Sequence, residues 1–258
     1  MKKDYAVITG ASAGIGMWFA RRLAKEGYKL VLVARREDRL KQLAEELKTE
    51  CKIIPCDLSQ ITECKRLLEE LNGIDYSVFI NNAGFGDCGL FVNTSTEKDM
   101  DMIDVNVKAL HYLMKEVLKK FKTLDKGYLL NVASSAGLMP AGPYMATYYA
   151  TKAYVVSLTQ AVARELREEK SKVYIGALCP GPVDTEFNSV ANVEFSLPGI
   201  SAEYCANYAI TKMFKRKTII IPTWYMKLAM CSGRFLPRAV YITIAARQQK
   251  KKLYGAGK

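Results

Sequence analysis

The run Tyr5-Ala-Val-Ile-Thr9, followed by Gly10, Gly14 and Gly16, restricts the fold more than any other part of the chain. The apolar run is too short for a helix, whereas the amphipathic stretch that follows the glycines to Glu26 is long enough to be one. The order is therefore strand, tight turn, helix. Glycine permits the turn and the close approach of a phosphate, whose charge the helix N-terminus and its unbonded N–H groups accept. The segment TGASAGIG, which also contains Ser12 and Ile15, is thus a candidate phosphate cradle. Three glycines occur in ordinary loops too, so the rest of the chain has to decide.

Further apolar runs at 30–34, 52–56, 76–80, 128–132, 173–178 and 218–221 alternate with helical stretches at 37–49, 97–121, 148–169 and 202–214. Such alternation predicts parallel βαβ units with right-handed crossovers: a Rossmann-type, doubly wound α/β sheet forming a single domain over 1–258. The second strand ends at Arg35 and Arg36, where the adenosine ribose of a dinucleotide would lie. An acidic residue there suits the 2′-hydroxyl of NAD, and arginine suits the 2′-phosphate of NADP. The pair predicts NADP(H); in the competing reading both arginines face solvent at the start of a helix.

Chemistry points to the stretch from Asn131 to Lys152. Tyr148 and Lys152 are four residues apart, so a helix sets them on one face. A fixed ammonium favours the phenolate and lowers the phenol pKa from its usual value of about 10, which makes a tyrosine useful as a general acid or base. Many helices carry such a pair on a solvated surface. Ser135 changes the weighing: it lies thirteen residues before Tyr148, just past the apolar run 128–132. Open α/β sheets build their sites beyond the carboxyl ends of the strands. Tyr149 is the neighbouring competitor but lacks both spacings.

These residues resemble the reaction centre of the short-chain dehydrogenase/reductase family. The likeness runs from Tyr5 to about Thr185, rests on five motifs in order, and fades beyond. It implies that Ser135 holds the substrate oxygen, Tyr148 exchanges its proton, and Lys152 binds the cofactor ribose and lowers the tyrosine pKa. Asn106, within DVNVKAL, would position a water for proton relay. The same resemblance implies cofactor contacts from Gly10, Ser12, Gly14, Ile15 and Gly16, from Asp57 and Leu58 at the adenine, and from Asn82, Ala83 and Gly84 of NNAG. Pro180, Gly181, Val183 and Thr185 would bracket the nicotinamide. Each has a plainer reading: Asp57 can cap the next helix, Asn106 can bond a nearby carbonyl, and Pro-Gly can simply turn the chain. The implied activity is NADP-dependent interconversion of a carbonyl and a secondary alcohol. A substrate lid over 187–201 and assembly as a homodimer or homotetramer are implied as well.

Phe85, Leu138, Met139, Met145, Phe187 and Phe195 fall in segments that by this analogy surround the substrate, which predicts an apolar ketone, a hydroxysteroid or an acyl-type compound. The alternative is a non-catalytic, cofactor-binding regulatory or interaction protein of the same fold, against which the complete set of four residues speaks.

Charge is unevenly spread. From Lys212 onward there are 12 basic residues and no acidic one, so the whole net charge of +12 resides in the last 47 residues. A basic stretch can meet nucleic acid or an anionic membrane. No recognition motif accompanies it, so nucleic acid is not an expected partner. Within the extension 222–258, core packing or subunit contact is the favoured cover for the apolar residues, with peripheral membrane contact as the second choice. Seven cysteines show no CxxC pair and there is one histidine, so no metal site is expected and the thiols read as reduced. His111 reads as packing. The N-terminus enters a strand too soon for a signal peptide, which predicts a cytoplasmic protein.

Overall fold

The apolar runs become strands, and the computed structural model, which describes residues 4–187, 191, 199–233 and 235–254, sets them side by side. In chain order they are β1 Tyr5–Thr9, β2 Lys29–Ala34, β3 Cys51–Pro55, β4 Tyr76–Asn81, β5 Tyr128–Val132 and β6 Tyr174–Leu178. The sheet runs β3-β2-β1-β4-β5-β6, and the short strand Ile219–Ile220 closes the far edge. Every pairing within it is parallel.

Alternation along each strand explains why both faces are apolar. Val7, Val31, Val33, Phe79 and Leu129 pack on one face against α3 (Ile61–Glu70), α5 (Leu110–Leu124) and α6 (Ala146–Glu168). Their neighbours Ala6, Ile8, Leu30, Leu32, Ile80 and Leu130 pack on the other, against α1 (Gly14–Lys25), α2 (Glu37–Glu46) and the helix Ala202–Phe214. A sheet covered twice has strands that read as continuous apolar runs, as these do.

Strand order reverses between β1 and β4, and that switch point opens a crevice at the carboxyl ends. The two strand ends are stitched together there. Thr9 Oγ1 accepts from the N–H groups of Asn82 and Ala83 at 2.9 and 3.1 Å, while Asn82 Nδ2 donates to Thr9 O at 2.9 Å.

Two expectations change. The single helix expected over 97–121 is α4 (Thr96–Ile103), a π-helical turn Asp104–Ala109 and then α5. The N–H of Leu110, which a regular helix would give to Asn106 O, goes to Val107 O. Apolar periodicity does not register such a one-residue widening. The basic extension forms two helices, Trp224–Gly233 and Arg238–Tyr254. The expected lid at 187–201, including Phe195, lies largely outside the described residues. Among the described residues no helix is long and apolar enough to cross a membrane.

Candidate active site

Beyond the carboxyl ends of the strands lies a cavity of about 1190 Å³, lined by most of the residues singled out in the sequence. Its lining includes Gly10, Ser12, Gly14, Ile15, Arg35, Arg36, Asp57, Leu58, Asn82, Ala83, Gly84, Ser135, Tyr148, Lys152, Pro180, Gly181, Val183 and Thr185. Gly16 and Asn106 stand behind this wall.

The glycines are needed for space. Gly10 and Gly14 have φ of +65° and +54°, in the left-handed region. A Cβ on Gly16 would sit 2.2 Å from Gly10 O and 2.5 Å from Asn82 Nδ2, so the start of α1 can press against the turn only as glycine. This bare, N–H-rich turn fits a pyrophosphate. Thr185 lies over it, within 3.3 Å of where a Cβ on Gly14 would be. Asp57 does not cap the following helix; its carboxylate accepts from Ser59 N, and Gln60 takes the cap position.

Of the two arginines, Arg36 is the one held in place. It donates to Ser12 Oγ of the glycine turn and pairs with Glu186, which also pairs with Arg39. Arg39 was not singled out in the sequence. These contacts put the Arg36 guanidinium beside the edge of the cradle, with the Glu186 carboxylate shared between it and Arg39.

At the other end of the cavity α6 delivers Tyr148 and Lys152. The helix is anchored to the sheet by Asn131, whose Nδ2 donates to Thr159 Oγ1 at 2.9 Å, while its Oδ1 accepts from Asn81 Nδ2 at 3.1 Å. Lys152 Nζ donates to Val132 O at 2.9 Å and lies 5.8 Å from the centre of the Tyr148 ring. Burial pulls Lys152 down to about 8 and pushes Tyr148 up to about 12, with a hydrogen bond from Ser134 acting in the opposite sense on the phenol. Burial disfavours the phenolate and sets the phenol above, not below, its usual value, so the lysine-driven lowering expected from the sequence does not appear.

Both adjacent serines line the cavity. Ser135, the residue singled out in the sequence, opens the short turn after β5 and is fixed by its N–H, which donates to Pro180 O at 2.8 Å. Ser134 caps that turn, its Oγ accepting from Ala136 N at 3.1 Å.

Asn106 is fully buried at the π turn. Its Oδ1 accepts from Phe85 N, and its Nδ2 donates to Phe85 O and Thr151 Oγ1, at 3.1, 2.9 and 3.2 Å. The side chain is thus spent on stapling the NNAG segment to α6. Gly84 makes this close packing possible, since a Cβ there would lie 2.7 Å from Asn106 Oδ1 and 3.2 Å from Lys152 Nζ. Of the expected apolar lining, Phe85, Met139, Met145 and Phe187 face the cavity, whereas Leu138 packs into the core beneath. The extension contributes as well: Tyr225, Met226, Met230, Leu236, Tyr241 and Gln249 complete the wall.

A glycine cradle at a topological switch point, joined by one cavity to a buried tyrosine, lysine and serine, defines an oxidoreductase that works with a bound nicotinamide dinucleotide. Residues 4–194 match the family model for short chain dehydrogenase, and the chain belongs to that family. A 7beta-hydroxysteroid dehydrogenase of Mediterraneibacter gnavus is 33% identical over 182 residues, 69% of this chain and 68% of that protein. A short-chain dehydrogenase from Sphingobium yanoikuyae, solved in complex with NADPH, superposes with a TM-score of 0.81 at 30% identity, covering 90% of this chain and 93% of that one. A short-chain dehydrogenase/reductase from Burkholderia phymatum, solved in complex with NAD, gives 0.81 at 25% identity, with 89% and 92% covered.

Proposed function

We propose that this protein uses NADP(H) to interconvert a largely apolar ketone and its secondary alcohol. The observation that carries the proposal is the single cavity with Arg36 and the glycine turn at one end and the buried Tyr148 at the other. Bound there, the nicotinamide supplies or accepts the hydride. The chain's own residues deal with the oxygen and its proton.

In the reducing direction, Tyr148 enters protonated and gives its proton to the carbonyl oxygen as negative charge develops on it. Ser135 holds that oxygen, with Ser134 beside it in the cavity wall. Lys152, carrying a proton below pH about 8, offers the positive charge that the phenolate then needs and a donor for a ribose hydroxyl. Water positioned by Asn106 gives a route for the returning proton.

Apolar side chains line the substrate end, and charged residues gather at the cofactor end, which supports a ketone of steroid or acyl type over a small charged acid. The exposed apolar residues Trp224, Leu228 and Phe235 are assigned to contact with a second copy of this chain, within a cytoplasmic homo-oligomer. Turnover of a carbonyl panel with NADPH and with NADH tests the reading. Oxidation of NADPH that depends on an apolar ketone and exceeds the NADH rate is the expected result. Absence of turnover with every ketone, or equal rates with both cofactors, counts against it.

A further inference from the structure

The substrate end of the cavity contains a second polar feature that the reaction at Tyr148 does not use. Gln249, on the helix Arg238–Tyr254, is 2% exposed and lines the cavity. Its Nε2 donates to the phenol oxygen of Tyr149, a hundred residues away in sequence. Its Oε1 is buried with no hydrogen-bond partner. A buried amide oxygen surrounded by apolar side chains loses its hydration without compensation, and native structures rarely leave such a group unanswered.

The partner of this amide is itself rigidly held. The ring of Tyr149 lies where a Cβ on Gly142 would come within 2.2 Å of it, so the loop packs flat against the phenol. It stands edge-on to Tyr148, with ring centres 6.3 Å apart and planes at 74°. Because Nε2 donates to the Tyr149 oxygen, the phenol keeps its own O–H to give away. Both residues belong to the cavity wall one ring's width from the reacting phenol: Gln249, whose buried amide oxygen is unanswered, and Tyr149 with its hydroxyl. If the amide served only to tie the C-terminal helix to Tyr149, its unanswered oxygen would have no explanation.

We propose that Gln249 and Tyr149 form a second anchor point for the substrate, which bears a hydroxyl or amide N–H that donates to Gln249 Oε1 while its carbonyl lies at Tyr148. The inference rests on the assignment of Tyr148 as the reacting tyrosine. It narrows the substrate from any apolar ketone to a two-point ligand, apolar in its body, with a hydrogen-bond donor near the reacting carbonyl. Gln249 is then a positioning residue.

Two matched pairs of probes test it with NADPH. One is the N-acetylcysteamine thioester of 3-oxohexanoic acid, with its amide N–H, against the 2-acetoxyethyl thioester, in which an ester oxygen replaces that N–H. The other is a set of hydroxylated 1-decalones against 1-decalone. In the wild-type protein the donor-bearing member of at least one pair should have the higher kcat/KM by about tenfold or more, mainly through KM. Gln249→Leu should bring that ratio to within about threefold, and Tyr149→Phe, which removes the group that orients the amide, should lower it less. Both members are measured on the same sample, so partial unfolding of a variant cancels in the ratio. A wild-type protein that does not discriminate within either pair, or a ratio that survives Gln249→Leu, overturns the anchor. Should none of the probes be turned over, that result counts against the proposed activity, and the same ratios read as dissociation constants by calorimetry still decide the anchor: no preference in binding refutes it.

Discussion

Arg36 offers the sharpest quantitative test, because the structure gives it two competing uses. It sits beside the glycine turn through Ser12 and is held from the other side by Glu186, which also engages Arg39; those two arginines hold the Glu186 carboxyl below the usual carboxylate range. A charge-assisted bond to a phosphate contributes about 1.5–3 kcal/mol, and Arg36 is partly solvated, so the lower end applies. At about 1.4 kcal/mol per decade this is roughly tenfold in affinity. Arg36→Ala should therefore cut the preference for NADPH over NADH by about tenfold with little effect on NADH itself. Glu186→Gln acts with the opposite sign. Exposed ion pairs are worth roughly 0.2–1 kcal/mol, so freeing the arginines should tighten NADPH binding by about 1.4-fold to fivefold and leave the melting temperature almost unchanged. Fluorescence titration of both cofactors against the three proteins gives all six dissociation constants. An unchanged cofactor ratio in Arg36→Ala would refute the assignment of the 2′-phosphate site, and weaker NADPH binding in Glu186→Gln would show that the carboxylate orients the arginines and does not compete for them.

Tyr148→Phe deletes only the hydroxyl, so turnover should fall by orders of magnitude while NADPH still binds; near-normal kcat, with the loss appearing in Tyr149→Phe, would transfer the role to Tyr149. Ser135→Ala should lower kcat at least tenfold more than Ser134→Ala does, and the reverse ranking in steady-state assays would move the role to Ser134. Lys152 should lose its proton as pH rises through about 8, so kcat/KM for reduction should decline above that pH; a profile flat to pH 10 would show that its charge is not needed. In the same residue the lowered pKa means that the unfolded chain binds the proton more tightly between about pH 8 and the ordinary lysine value, so stability should rise with pH across that window, and Lys152→Met should flatten the rise in denaturant titrations. Sedimentation with anionic vesicles at physiological salt should leave the protein in the supernatant if the face carrying Trp224 and Phe235 meets another subunit, whereas pelleting that salt reverses would assign that face to a lipid surface.

The parts of the site visible in the sequence are those fixed by short-range order. Glycine spacing, the position of Arg36 after a strand and the four-residue step from Tyr148 to Lys152 each report local geometry, and each is where it was expected. What was not visible depends on contacts between distant segments. Glu186 meets Arg36 across 150 residues, and Gln249 meets Tyr149 across 100, with no periodicity to announce either. The phenol pKa was misjudged for a related reason: the neighbouring ammonium is legible as a spacing, but the depth of burial is a property of the whole fold.

The π turn at Asp104–Ala109 has a consequence for how this chain tolerates shortening. One residue more than a regular helix needs is accommodated there, which puts the faces of α4 and α5 out of phase by about 100°. Deleting a single residue from the turn would let the backbone ladder run unbroken, a repair that favours the folded helix. The same deletion would rotate Asn106 away from Phe85 and Thr151 and unfasten the NNAG segment from α6. Of all the places where this enzyme could become sturdier by losing an amino acid, this is the one where the gain would come at the expense of the site.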